Sequence, residues 1–364
     1  MPTFKPKKVS KVTSKVFVGL SGGVDSAVSA ALLKRAGYDV VGVFIRIVLP
    51  GYPCTAVADR QDAMRVAAHL RIPFHEIDLS EKYQEKVFAH MLEEFAEGRT
   101  PNPDTLCNRE IKFGLFFDYA MQAGADFVAT GHYVQVVAQP KIEMHISADT
   151  EKDQSYFLWM VEERRLSRTL FPVGDKRKSE VRKLAQKFGL PNATRKDSQG
   201  LCFLGDISIQ DMLARELHPA AGVVLDEAGE SIGTHAGVEL YTLGQRHGFS
   251  VRGESGQTNQ PLFVIAKDRT HNTITVSKYA FPQHATRTEI FLTETNWIGE
   301  ARSGAYQARY RYRQKVMHAT LDKEYTPVRV LLHEPRFVPE GQSLVLYDGQ
   351  RCVGGGIVHS SKLL

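Results

Sequence analysis

Cysteine is scarce in this chain of 364 residues: there are four, Cys54, Cys107, Cys202 and Cys352. No two of them form a CxxC pair and none has a histidine at zinc-ligand spacing. Neither a disulfide scaffold nor a zinc knuckle is indicated, and each reads as an individual thiol in a reducing compartment. Long apolar runs are missing too. Nothing approaches the roughly 20 residues of a membrane-spanning helix, and the first residues lack the apolar core of a signal peptide. The expectation is a cytoplasmic protein with no membrane contact. Acidic residues are absent from Met1 to Ser14, where Lys5, Lys7, Lys8 and Lys11 stand among few apolar residues, as in a flexible basic tail. A Walker A loop is lacking as well, since no glycine-rich turn ends in Gly-Lys-Ser/Thr.

What is present begins with an ordinary globular composition, 43% apolar and 24% charged, over a length that suits two or three domains. A formal charge of +5 points weakly to an anionic partner. The chain is organised around Gly19-Leu20-Ser21-Gly22-Gly23-Val24-Asp25-Ser26, which follows the apolar run from Val16 and precedes Ala27 to Ala36. Strand, turn and helix in that order present backbone N–H groups to phosphate. The glycines let the backbone approach a ligand closely, and Ser21 and Ser26 add hydroxyl donors. Asp25 would repel phosphate unless a cation lay between, which suggests Mg2+ carried in with a nucleotide.

Downstream, Val28, Ala31, Leu32 and Arg35 keep helical spacing up to Gly37. Tyr38 to Val48 is a nearly continuous apolar run, Asp59 to Leu70 a second helix and Phe74 to Leu79 a third strand. Strands alternating with helices predict an α/β domain with a doubly wound parallel sheet, whose ligands lie beyond the carboxyl ends of the strands. Ser80 to Glu97 reads as an amphipathic helix. The polar segment Thr100 to Arg109 holds Pro101 and Pro103 and reads as irregular, with a helix resuming over Glu110 to Gln122. A short strand, Asp126 to Ala129, delivers Thr130, Gly131, His132 and Tyr133 to the same edge. There Gly131 would let the backbone approach an adenine or ribose, and His132 either faces a substrate or caps the strand. Ile142 to Ser147 alternates like a strand. Beyond about Leu213, short runs broken by glycine predict antiparallel strands in two small β domains. The expected division is a tail over 1–14, a catalytic α/β domain over 15–212, a central β-rich domain over 213–283 and a C-terminal β domain over 284–364.

Two cysteines stand out. Cys107 has Arg109 and Lys112 nearby and Cys202 has Arg195 and Lys196, and neighbouring cations favour the reactive thiolate, although a small buried hydrophobe is the other reading. Both loops read as mobile, able to hold the two sulfurs apart. Cys352, in a strand-like stretch, and Cys54 fit the buried reading better. Over Ala308 to Lys315, strand alternation would project Arg309, Arg311 and Arg313 from one face and Tyr310 and Tyr312 from the other, a surface for phosphates and bases or a solvated edge strand.

These pieces resemble the tRNA-specific 2-thiouridylases, a family of PP-loop ATP pyrophosphatases. The matching stretches are Gly19 to Ser26, Thr100 to Asp104 with Leu106-Cys107-Asn108, Ile111-Lys112-Phe113, Ala129 to Tyr133, Lys152 to Tyr156, Gly200 to Phe203, Thr242 to Arg246, Arg311 to Gln314 and Glu340 to Gln342. The start before Lys15 is an extension, and Ser198 to Leu201 is a variant approach to the second cysteine. The resemblance implies a PP-loop domain, a central β-rich domain and a C-terminal β-barrel that binds tRNA. It also implies ATP with Mg2+ held by way of Asp25, adenylation of the uracil C2 oxygen of the wobble uridine, and sulfur transfer. By the same resemblance Cys202 carries a persulfide, Cys107 is the second nucleophile, closing a disulfide with Cys202, and Asp104 is a candidate general acid/base. Gly19 to Ser26, Ile45 and Gly131 would bind the nucleotide. Asn102, Pro103 and Asp104 would surround the flipped base, and His132, Lys152, Asp153, Gln154, Arg311, Tyr312 and Gln342 would contact tRNA. The implied partners are tRNA and a persulfide sulfur carrier fed by a cysteine desulfurase, with the enzyme itself monomeric. Two other readings compete: a PP-loop synthetase that adenylates a small carboxylic acid to form an amide, and a non-catalytic RNA-binding protein.

Overall fold

The computed structural model describes residues 13–53, 55–137, 140–197, 202–203, 208–252 and 261–364. The expected tail up to residue 12, Cys54 and the variant stretch 198–201 lie outside the described residues.

Strand β1 (Lys15–Gly19) is central in a five-stranded sheet. β2 (Asp39–Arg46) and then β3 (Phe74–Asp78) lie on one side, with β4 (Phe127–Ala129) and then β7 (Thr169–Leu170) on the other, and every pairing is parallel. Alternation along β1 sends Phe17 to one face and Val16 and Val18 to the other, and all three are buried. Helices α1 (Val24–Arg35) and α2 (Ala56–Leu70) cover the Val16 face together with the helix Lys178–Lys187. The Phe17 face is covered by α3 (residues 80–96) and α4 (residues 103–122). Alanine and serine at five of the twelve positions of α1 help it to be enclosed nearly all round, so Leu33 is fully buried while Leu32, on the expected stripe, is only partly so. Strand order reverses between β1 and β4, which makes the carboxyl ends of these two strands the place for a ligand.

Helix α4 corrects the expectation of an irregular segment up to Arg109. Pro103 occupies its first turn, where a missing N–H costs nothing, and Asn102 caps it by accepting from Thr105 N at 3.3 Å. From Asn108 to Leu115 the same helix widens into a π turn.

The second sheet runs β10 (Phe249–Val251), β9 (Ser231–His235), β8 (Gly222–Leu225), β12 (Thr273–Ser277) and β11 (Phe263–Asp268), around a small core of Val224, Tyr241, Val264 and Ile274. It is not wholly antiparallel, because β8 and β12 pair in parallel. β13 (Thr288–Trp297) through β18 (Arg351–Leu363) form a closed antiparallel barrel, its seam the pairing of β13 with β18. β18 also pairs with β6 (Glu143–Ile146), whose hairpin partner is β5 (Val134–Val137). The strand expected near Ile142 therefore extends the barrel's sheet rather than the parallel one. No described helix is long and apolar enough to cross a membrane.

Candidate active site

The phosphate loop leaves β1 and turns at Gly22, whose φ of +75° lies in the left-handed region. A side chain there would stand 2.5 Å from the Asp59 carbonyl oxygen, so no other residue fits. Ser26 Oγ donates to Gly23 O at 3.1 Å and accepts from Ser21 N at 3.3 Å, while Asn192 donates to Gly22 O at 2.7 Å. No side chain caps α1 at Gly23, so its first N–H groups are available to an anion. Gly131 packs against this turn, where a Cβ would lie 2.7 Å from Ser26 N. Its lack of a side chain thus serves the approach of two backbone segments, at a position that also lines the cleft.

Asp25 is already engaged. Lys178 Nζ lies 2.7 and 2.8 Å from its two carboxylate oxygens, and the Tyr133 hydroxyl donates to it at 2.8 Å. Lys178 also meets Asp197 at 2.8 Å, and Lys152 donates to Asp197 at the same distance. Burial pushes the Asp197 carboxyl up, but hydrogen bonds from Lys152 and Lys178 outweigh it and hold the group at about 2. Lys178 escaped the sequence reading, since it belongs to no local pattern and the loop it serves is far away in the chain.

A cleft of about 640 Å³ runs from Ser21 and Ser26 past Ile45 and Gly131 to Asp104 and Cys202. At its far end Cys107, buried in α4, donates its thiol proton towards Cys202, with the sulfurs 3.4 Å apart. The loops do not hold the sulfurs apart in the free protein. Burial, then the hydrogen bond to Cys202, raises the Cys107 thiol well above its ordinary range. The Cys202 thiol is lowered, first by the Cys107 hydrogen bond and then, against burial, by Lys112. Burial acts to lower the Lys112 ammonium, yet the two sulfurs beside it prevail and push it up to about 12. Asp104 is raised by burial, and its Oδ1 accepts from Cys202 N at 3.1 Å. Of the other expected cations, Arg109 pairs with Glu110 and Glu294 and Arg195 with Asp59 and Asp62, while Lys196 lines the cleft.

The remaining candidates divide between the cleft and the barrel joint. His132 lines the cleft, is pushed well below its usual range by burial and then by Lys112, and shares a 2.8 Å hydrogen bond with Thr130. Gln154 also lines it and accepts from Tyr133 N at 2.9 Å. Tyr312 packs against Phe157 with ring centres 4.6 Å apart and planes tilted by 41°, and Arg311 is exposed over Tyr310. Strand alternation fails over Ala308 to Lys315. β14 (Gly304–Arg309) ends at Arg309, and the chain then turns, with Gln314 accepting from Tyr310 N at 3.0 Å. Arg309 is buried on Asp153, whose other partners are Ser147 N and Ser155, so Asp153 faces inward rather than outward. Gln342 is partly exposed and its carbonyl accepts from Val358 N at 2.8 Å. Asn108, a cleft residue the sequence did not single out, donates to Phe157 O at 3.2 Å and leaves its buried Oδ1 without a partner among the described residues.

A phosphate loop at the switch point of a parallel sheet, sharing a cleft with a cysteine pair and joined to a β-barrel, defines a nucleotide-binding enzyme of the PP-loop class. Sequence models of known families match in three blocks: the tRNA methyl transferase HUP domain over residues 14–206, the tRNA methyl transferase PRC-barrel domain over 210–278, and the aminomethyltransferase beta-barrel domain over 287–358. Similar full-length proteins are named for another reaction. The tRNA-specific 2-thiouridylase MnmA of Enterococcus faecalis is 41% identical over 356 residues, 95% of each chain. That of Streptococcus pyogenes is 40% identical over 353 residues, 94% of this chain and 95% of its own. The enzyme of Lactococcus lactis subsp. cremoris is 40% identical over 359 residues, 96% of both. The chain belongs to the tRNA-specific 2-thiouridylase family. Among solved structures, the NMN synthetase from Francisella tularensis aligns with 17% identity and a TM-score of 0.36 over 56% of this chain and 72% of its own, too slight a likeness to carry any argument.

Proposed function

We propose that this protein is an ATP-dependent tRNA sulfurtransferase that replaces the C2 oxygen of the wobble uridine with sulfur. One observation carries the reading: two sulfurs 3.4 Å apart stand at one end of a cleft whose other end is a phosphate loop. The uracil C2 carbonyl is a poor electrophile, so its oxygen must become a leaving group. Attack of that oxygen on the α-phosphate of ATP expels pyrophosphate towards Ser21 to Ser26 and leaves the base adenylated, with Asp104 as the candidate acid/base for the N3 proton. A sulfur-carrier protein, charged by a cysteine desulfurase, passes the outer sulfur of its persulfide to the Cys202 thiolate. The Cys202 persulfide then attacks C2 and AMP departs. Cys107 attacks the Cys202 sulfur, forming the disulfide and releasing the sulfur on C2 as a thiocarbonyl. Two cysteine thiols thus supply the two electrons that reduce the transferred sulfur, and a thiol reductant resets the pair.

The donors around the loop fit a triphosphate. Mg2+ would shield its charge, and Asp25 could share such an ion only by giving up part of its bond to Lys178. Ile45 and Gly131, which line the cleft, would hold the adenosine. Asn102, Pro103 and Asp104 would frame the flipped base, and His132, Lys152, Gln154, Arg311, Tyr312 and Gln342 would meet the RNA, whereas Asp153 acts by fixing the barrel. The enzyme works as a cytoplasmic monomer. Incubation with ATP, a persulfide donor and either tRNA or a small carboxylic acid tests the reading. Pyrophosphate release that requires tRNA, with 2-thiouridine in the digested product, is expected; release driven by the acid, or none at all, overturns it.

A further inference from the structure

Lys112 is the cation that the described residues place against the sulfur pair, and the helix is distorted where it does so. In a regular α-helix, side chains three and four residues apart share a face, and one five along points elsewhere. Over Asn108–Leu115 helix α4 is π-type, with Phe116 N–H donating to Ile111 O, so residues five apart come nearly into line. The residue five beyond Cys107 is Lys112. Its ammonium lies 5.6 Å over the ring of Phe203, the residue after Cys202, and Lys112, Cys202 and Phe203 line the same end of the cleft.

The groups facing the sulfurs show why one cation matters. From α4 come the Cys107 thiol and the Asp104 carboxyl, from α3 the Tyr83 hydroxyl, which donates to Cys202 O at 3.1 Å, and beyond β4 the imidazole of His132. Cys107 and Asp104 are both raised, Cys107 well above its range, and His132 is pushed well below its range. An ammonium left there with no anion would bear an uncompensated desolvation cost. Its counter-charges are the Asp104 carboxyl and, of the two sulfurs, that of Cys202, because Cys107 is raised well above its range.

We propose that Lys112 is a positioning residue for the sulfur chemistry: the π turn lays its ammonium against Cys202, so that this sulfur, rather than that of Cys107, is held as the anion that accepts and presents the sulfur atom. The purpose rests on the sulfurtransferase reading; the measurement does not. The rate of Cys202 alkylation by iodoacetamide is followed across a pH series on the full chain, with the Cys202 peptide quantified by mass spectrometry. Lys112→Met and Lys112→Gln should move the midpoint of that profile upward by about one pH unit or more, and Lys112→Arg should restore it. Should Lys112→Met be poorly folded, the contrast between Lys112→Gln and Lys112→Arg decides the matter, because both keep a polar side chain and only one keeps the charge. A wild-type profile in Lys112→Gln, or an equal shift in Lys112→Arg, overturns the proposal. Wild-type protein that thiolates tRNA while these profiles stay unmoved would sink this inference alone; a shifted profile in protein that never thiolates tRNA would sink only the function.

Discussion

Asp197 shows how single charges knit this site. Three cations, Lys152, Lys178 and Arg182, converge on its carboxylate, and Lys178 carries the link on to Asp25 of the phosphate loop. The folded-state carboxyl lies at about 2 against an ordinary 3.8. A depressed carboxyl contributes stability that is complete above the unfolded value and is lost as pH falls through the folded one. With solvent screening at a partly exposed site, that contribution is about 1–2 kcal/mol. Asp197→Asn should therefore unfold at lower urea at neutral pH and show a flatter loss of stability between about pH 4 and pH 2. Identical urea midpoints for the two proteins throughout that range would refute the assignment. The cysteines allow a second residue-scale prediction. Sulfurs 3.4 Å apart need only a small shift to reach bonding distance of about 2.05 Å. Mild oxidation of the free protein, without tRNA, should join Cys107 to Cys202, and a non-reducing peptide map in which both remain free would show that the pair is not held together in solution.

At the scale of single elements, the turn between β1 and α1 depends on two glycines that cannot be replaced for different reasons. Gly22 adopts a left-handed backbone beneath the Asp59 carbonyl, whereas Gly131, on the neighbouring strand exit, is excluded from bearing a side chain by the Ser26 amide. Gly131→Ala should push the first turn of α1 away from β4 and weaken ATP binding by at least tenfold, about 1.4 kcal/mol or more, with tRNA affinity much less affected. Calorimetric titration with ATP checks this; unchanged affinity would mean that the loop yields without consequence. The strand, turn and helix around this loop were legible because each carries its own local signal: an apolar run, paired glycines and an alanine-rich stretch. Helix α4 was legible only in its second half. Two prolines outweighed the cap at Asn102 in the reading, although Pro103 stands at the one position where a helix welcomes proline. The π turn has no signature in composition at all, and Lys112 was one of four candidate cations until the backbone placed it.

For the whole molecule, the joint between the parallel-sheet domain and the barrel was the least legible part, because its partners are remote in sequence. Arg309 looked like one of three arginines on an exposed face, and Asp153 like part of a polar segment open to RNA. Instead Arg309 ends its strand inside the protein, donating to Asp153 and to the Tyr347 hydroxyl at 3.0 Å, while Ser155 bridges Asp153 and Tyr347. Tyr156, buried beside them, donates into the barrel, where Tyr310 O lies at 2.8 Å and Ser343 O at 3.1 Å. Lys152 to Tyr156 therefore combines two tasks: Lys152 and Gln154 line the cleft, while Asp153, Ser155 and Tyr156 bolt the barrel in place. That arrangement makes a sharp prediction. Asp153 is 3% exposed, so Arg309→Met would strand a carboxylate in a dry setting, at a cost of about 3–5 kcal/mol. The joint should loosen before either domain melts, and calorimetry should show the single transition of the wild type broaden or divide in two. Replacing both partners, Asp153→Leu with Arg309→Met, removes the stranded charge and should recover most of the lost stability, since an apolar pair of similar volume can match a buried ion pair. If Arg309→Met alone melts as one transition at the wild-type temperature, the ion pair is not what joins the two halves.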